Sequence, residues 1–416
     1  MGSFSTSLSG LTAAEDALNV ISNNLANLNT TGYKEMTPNF EDLFYEYLGD
    51  AGSGNPIQVG EGVTIGSVST NFTQGNTNAT GVDTDLAIQG NGFFVVQNNG
   101  VQEYTRAGNF TTNSSGYLVD ANGDFVMGYG AVNGVISPSP TLAPLQLTSG
   151  ASVPAKATAN LELDMNLDAT ASIPATGTFS FSQPVVVYDS LGVSHTLTFN
   201  FAKQSTNQWS YEITIPAADT GTTGNPVVVG QGTLQFDDNG NLILPTSNVA
   251  LSVPTFADGA AALNFNWQLY NAQGSPTITQ SGSPSAVSNT SQDGYSSGTL
   301  TSFSITSDGI VHGVFSNGQT TVVGQVALAN FANPQGLINN GENNYLATFS
   351  SGAADIGAAG LGGRGTVQDG SLEQSNVDIA TEFANLIMAE RDYQANAKAI
   401  TTADTVTQTA INLIQS

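Results

Sequence analysis

The stretch FSTSLSGLTAAEDALNVISNNLANLNTTG, residues 4–32, carries Phe4, Leu11, Leu18 and Leu25 at intervals of seven, with Ala14, Ile21 and Leu28 offset by three. This alternation draws one apolar stripe along the side of a helix. Asn29-Thr30-Thr31-Gly32 then stops it. The same spacing returns at the other end as Ile379, Phe383, Leu386, Tyr393, Ala397, Ile400, Ile411 and Ile414. Ser375-Asn376-Val377-Asp378, an acidic variant of the capping box, precedes that stripe, and a helix is predicted from there nearly to Ser416. Either stripe alone describes an amphipathic helix lying on its own domain; one at each terminus describes a pair.

Between roughly 60 and 370 the apolar alternation is broken repeatedly by Gly, Asn and Asp clusters, which reads as β-structure. Short strands are predicted at 93–97, 117–120 and 125–129, with Asp120-Ala121-Asn122-Gly123-Asp124 as a hairpin turn. A second set is predicted at 184–188, 196–201, 209–215, 232–236, 242–244 and 263–270, and a third at 303–305, 310–315, 321–329 and 345–349. Residues 137–160, with four prolines, read as a crossover, and the Ser-, Gly- and Thr-rich 274–299 as the return. The expected fold is mainly β with α-helical termini. Its predicted parts are a helical assembly domain from 1–30 and 371–416, a connecting segment 31–70, a discontinuous inner β domain from 71–150 and 298–370, and an inserted outer β domain 151–297. A chain that leaves a helix, passes through nested β domains and returns to a helix brings both termini to one end. Burying each large apolar side chain is worth about 1.5–3 kcal/mol, and two helices alone leave much of their stripes wet. Neighbouring copies are the expected cover.

The chain has 416 residues, 33 acidic against 7 basic, and a formal net charge of −26. Its cations are scattered singly, so no basic patch faces a phosphate backbone, and nucleic acid and anionic membrane make poor partners. Only 10% of residues are charged, against about a quarter in typical domains, which leaves the polar surface to Asn, Ser, Thr and Gln. Absence of cysteine removes disulfides, thiol catalysis and zinc-thiolate sites. No apolar run approaches the ~18 residues of a membrane span. Met1-Gly2-Ser3-Phe4-Ser5-Thr6 has no positive region and the first basic residue is Lys34, so no cleaved secretory signal is expected.

Candidate chemistry is sparse. The two histidines, His195 and His312, sit between apolar residues in predicted strands. Ser194 beside His195, with Asp189 nearby, would point to the opposite face of a strand and so makes a poor triad. Asp120-x-Asn122-x-Asp124 opens like a calcium loop, yet Phe125 and Ala131 stand where an EF-hand needs Gly and Glu. The glycine-rich 357–365 lacks a following Lys-Ser/Thr and reads as a flexible connector. No catalytic, cofactor-binding or metal-ligating residue is assigned, and no carboxylate pair occupies a recognisable motif.

Several longer motifs resemble one family. Leu18 to Leu28 followed by Asn29-Thr30-Thr31-Gly32-Tyr33-Lys34 resembles the N-terminal signature of bacterial flagellar rod and hook proteins. Glu373-Gln374-Ser375-Asn376-Val377-Asp378 and Tyr393-Gln394-Ala395-Asn396-Ala397-Lys398 are similar to its C-terminal counterpart. The segments 85–94 (DLAIQGNGFF) and 104–110 (YTRAGNF) are similar to the β domain shared across that axial family. Within the family, Val187-Tyr188-Asp189-Ser190-Leu191-Gly192 with His195-Thr196-Leu197, and 326–337 (VALANFANPQGL), resemble the hook branch; distal rod members lack an insertion of this size.

The resemblance implies a non-catalytic, cofactor-free subunit of the flagellar hook, the flexible curved tube that works as a universal joint and transmits torque from rod to filament. It implies that the terminal helices pair into a coiled-coil-like inner layer of that helical tube, with the stripe residues as the assembly interface. Other copies of itself, the distal rod protein, the hook cap protein and the hook-filament junction proteins are the implied partners. Export through the flagellar type III apparatus without cleavage, to an extracellular position, is implied as well. The competing readings are a distal rod protein of the same family, and a secreted β-rich binding module or adhesin.

Overall fold

Helix α1 (Gly2–Ala26) follows the N-terminal stripe and helix α2 (Ile379–Gln415) the C-terminal one in the computed structural model, which describes residues 2–53, 55–137, 141–147 and 152–415. The Asp378 carboxylate caps α2 by accepting the Thr381 amide at 2.7 Å. The cap is therefore Asp378 itself; the Ser375 hydroxyl accepts from the Val377 amide at 3.3 Å instead. Two compact units make up the chain: Met1–Ser149, Ser302–Gly313 and Thr320–Ser416 in one, Gly150–Thr301 and Val314–Gln319 in the other.

In the first unit α1 is followed by β1 (Met36–Asp42), β2 (Tyr45–Asp50), β3 (Pro56–Gly60) and β4 (Val63–Thr70). Residues 31–70, expected from the sequence as a connection, thus hold two antiparallel ladders. β1 pairs with β4 from Met36↔Thr70 to Asp42↔Val63, and β2 with β3 from Tyr45↔Gly60 to Asp50↔Pro56. The result is one long hairpin arm whose alternation was masked by side chains that mostly stay in solvent. The body of this unit is a sheet in which Thr320–Asn330 pairs antiparallel with Phe125–Val132 and with Phe93–Asn98, through Gly128↔Val326 and Leu328↔Phe94. Strands from before and after the second unit therefore share one core, built on Leu86, Ile88, Phe94, Val96, Val126, Val326 and Leu328. The glycine-rich 357–365 is pinned rather than loose. Arg364 pairs with Asp355 at 2.8 Å and donates through Nε to the Ala358 carbonyl at 2.9 Å.

The second unit is a sandwich of two five-stranded sheets around a single core that includes Trp209 and Trp267. One sheet is an antiparallel meander of Phe181–Tyr188, Ser194–Ser205, Gln208–Ile215, Val227–Phe236 and Leu242–Leu244. The other centres on Asn160–Asp168, where strict alternation buries Leu161, Leu163, Met165 and Leu167. Leu263–Gln268 and Ile278–Ser281 pair parallel with it, and Ala286–Gln292 antiparallel. The segment 274–299 was expected as a connector because it is poor in apolar residues. It supplies two strands all the same, since pairing along Asn160–Asp168 satisfies their backbone groups with little apolar content of their own.

Candidate functional site

The terminal helices pack antiparallel: Gly10 faces Asn396 near one end of the contact, and Asn24 faces Glu382 near the other. A Cβ at Gly10 would stand 2.9 Å from the Asn396 side-chain oxygen, so glycine there permits the close approach. Ala13, Ala14, Ala17, Ile21 and Asn24 line the buried face of α1. On α2 the buried face carries Glu382 and Ala389, and the apolar centre is Ala17, Ile21 and Ala389 flanked by Leu18, Leu25 and Leu386. Small residues make this seam, so it is narrow.

The stripe residues expected at an assembly interface divide accordingly. Ile21 is buried; Leu11, Leu18, Leu25, Leu28, Leu386, Ala397 and Ile400 are half-buried. Phe4, Ile379, Phe383, Tyr393 and Ile411 are exposed, and the side chain of Ile414 lies outside the described residues. The reason is angular. Glu382, Ala389, Asn396 and Ala403 recur every seven positions toward α1, which turns Ile379, Phe383 and Ile387, spaced by four, to another face. Phe383 is 52% exposed, and Ile387 and Met388 beside it are exposed too. Beyond Ala403 every described residue of α2 is exposed, Val406 and Leu413 included. The hairpin arm adds a second apolar surface that sequence reasoning missed: Phe44 is 91% exposed, and Tyr45, Tyr47, Leu48, Ile57 and Val59 are exposed with it. Its signal was available in the aromatic run FYEYL of residues 44–48.

Between α1, α2 and β1 lies a groove of about 680 Å³ lined by Ala14, Ala17, Ile21, Met36, Phe40 and Met388, with Glu35, Glu382 and Asp392 as its charged groups. All three are acidic. Burial, then the neighbouring Glu35 carboxylate, push Glu382 up to about 7, against hydrogen bonds from Asn24 and Asn385. Tyr33 is pushed up to about 12 by burial and by Glu382 and Glu35. Its hydroxyl donates to Asn24 Oδ1 at 3.1 Å, while Asn24 Nδ2 donates to the Met36 carbonyl at 2.8 Å.

Three of the motifs that carry the family resemblance meet in one buried ion triad. Lys34 Nζ lies 2.5 Å from Glu373 Oε1, and Arg106 Nη1 lies 3.2 Å from Glu373 Oε2. The lysine also donates to the Thr73 carbonyl at 2.8 Å, and Arg106 Nη2 to the Gly90 carbonyl at 2.8 Å. Arg106 lies over the Phe93 ring, 5.4 Å from its centroid. Burial lowers the pKa of both cations below their ordinary values, and Glu373 works against that in each. Gly32 is the hinge of this knot. Its φ is 70°, its amide donates to the Glu373 carbonyl at 2.8 Å, and a Cβ would come within 2.5 Å of the Ala107 nitrogen. Only seven cations exist in the chain, and two of them lie in separate motifs with an acid in a third. That scarcity was the signal for the triad.

The sequence agrees with known proteins along its length. Residues 4–34 match the flagella basal body rod protein family, 160–295 the flagellar basal body protein FlaE D2 domain, and 368–413 the flagellar basal body rod FlgEFG protein C-terminal family. The flagellar hook protein FlgE of Salmonella typhimurium (strain LT2) is 37% identical over 429 residues, covering 99% of this chain and 100% of that protein. The chain belongs to the flagellar hook protein family. The hook protein FlgE of Treponema pallidum (strain Nichols) is 35% identical over 466 residues, with 99% of each chain covered. In fold, the crystal structure of Helicobacter pylori flagellar hook protein FlgE2 superposes with a TM-score of 0.51 at 15% identity, over 71% of this chain and 100% of that one.

Proposed function

We propose that this chain is a structural subunit of the bacterial flagellar hook that self-assembles into a flexible curved tube and passes torque from rod to filament as a universal joint. The observation that carries the reading is the second face of α2. Ile379, Phe383 and Ile387 stay exposed after α1 has been accommodated, on a chain whose hook relatives align from end to end. An apolar face left open by intramolecular pairing is covered when helices of neighbouring copies pack beside it. In this reading 1–30 and 371–416 form the inner assembly layer, and the exposed aromatics of the hairpin arm add contacts between copies. Residues 151–297 serve as the outer domain carried on 71–150 and 298–370. The distal rod, hook cap and hook-filament junction proteins are the partners at the two ends of the tube. Delivery by the flagellar type III apparatus to an extracellular position, without a cleaved signal, completes the proposal.

The test is negative-stain electron microscopy of the purified full-length chain beside Phe383→Asp. Hollow tubes from the parent and isolated particles from the variant are expected. Tubes from both, at equal yield, would remove the outer face of α2 from assembly. Isolated particles from the parent at every concentration tried, with far-ultraviolet dichroism showing a folded chain, would overturn self-assembly.

A further inference from the structure

In the second unit the strand Ser194–Ser205 turns His195 inward and Ser194 outward, and three carboxylates gather around that imidazole. Nε2 lies 3.0 Å from Asp189 Oδ2 and 3.9 Å from Asp258 Oδ2, while Nδ1 lies 3.3 Å from Asp219 Oδ2. Donor atoms of Asp189, His195 and Asp258 all fall within 4.8 Å of one another. Each is held from behind. Asp189 is fully buried and its Oδ1 accepts the Leu191 and Val193 amides at 2.8 and 2.9 Å. Asp258 Oδ1 accepts the Ala260 amide at 3.0 Å, and the Phe256 ring lies against the imidazole with centroids 4.3 Å apart.

The charge does not balance within the cluster. Three carboxylates face one imidazole, and among the described residues no lysine or arginine pairs with any of them. One carboxylate oxygen of Asp189 and one of Asp258 lie within 4.8 Å of each other, where a bound cation relieves the repulsion between the two acids. The second nitrogen of the histidine has a carboxylate 3.3 Å away, the kind of outer group that orients metal-bound imidazoles. We propose that Asp189, His195 and Asp258 bind a divalent transition metal of the zinc type, with Asp219 positioning the imidazole. Nitrogen and carboxylate donors suit such an ion, and water completes its coordination. The ion would tie the turn bearing Asp258 to the strand Ser194–Ser205.

Zinc chloride titrated into the metal-free full-length chain in a calorimeter, with denaturant unfolding followed by the emission of Trp209 and Trp267, tests this. Saturable uptake of about one equivalent and a rise in the unfolding midpoint are expected. Asp258→Ala, an exposed turn residue, should weaken uptake at least tenfold while the native emission persists. Asp219→Ala should weaken it by about 10- to 100-fold. No saturable uptake, or uptake of equal strength by Asp258→Ala, would overturn the site. Calcium binding as tight as zinc would overturn its transition-metal character.

Discussion

Glu382 sets the pH response of the helix pair, and replacing it with glutamine should remove that response. The side chain is 3% exposed, yet it lies just under the floor of a groove and faces Glu35 rather than a cation. An acid whose folded pKa is raised from 4.5 to about 7 binds its proton more tightly in the folded state. The pair is therefore at full strength below 4.5 and loses stability as pH rises through about 7. Such a shift corresponds to about 3 kcal/mol, which solvent in the groove lowers to ~1–3 kcal/mol. Local opening free energies of that size are read directly by amide hydrogen exchange. In the parent chain, protection of residues 10–26 and 379–403, corrected for intrinsic exchange, should fall about 10- to 100-fold between pH 5 and pH 8. Glu382→Gln should give a flat profile and exceed the parent at pH 8. A parent profile already flat, or a variant that keeps the parent's slope, would refute the assignment.

Removing Glu373 leaves two buried cations facing each other, whereas removing Lys34 leaves a balanced Arg106–Glu373 pair. Glu373→Gln should thus cost about 3–5 kcal/mol in urea unfolding of the first unit, and Lys34→Met clearly less; an equal or reversed order would contradict the triad. Leu386→Asp should break the α1–α2 seam as well as block tubes, while Phe383→Asp should block tubes and leave helix protection intact. Hydrogen exchange with electron microscopy separates the two, and the same phenotype from both would argue against separate faces. Limited proteolysis should trim residues 4–28 and 379–413 before the β units, since a narrow seam of small residues holds them; equal resistance throughout would count against that order. Because the chain has two tryptophans and both are fully buried in the second unit, their emission should shift red in one step as that unit unfolds. A red-shifted native spectrum would mean the sandwich core is not formed.

The terminal helices were legible because seven-residue spacing survives in a short window, and so were meander strands such as Gln208–Ile215, whose aromatic and β-branched alternation is strong. Which side of each helix would face its partner was not. Glu382 and Ala389 are poor markers of burial, and only their position opposite Asn24, Ile21 and Ala17 makes them the seam. Asn160–Asp168 alternates without a break, yet it sits directly after a proline-rich stretch that reads as a crossover to 160, and it is not among the expected strands. The hairpin arm escaped notice because its apolar residues stay in water. The ion triad and the His195 cluster both depend on residues far apart in sequence, which no local window joins.

The ion triad also fixes an order of events. Lys34 and Glu373 are 339 positions apart, and Arg106 and Glu373 are separated by 267. Closing so long a loop is entropically costly and cannot begin until nearly the whole chain is present. Until then Lys34 and Arg106 lack the carboxylate that neutralises them, and burying either would leave an unpaired charge in the core. A partly emerged chain is in this way held open at the junction of helix and β unit. The arrival of the last tenth of the chain, with Glu373 leading α2, is what locks that junction shut.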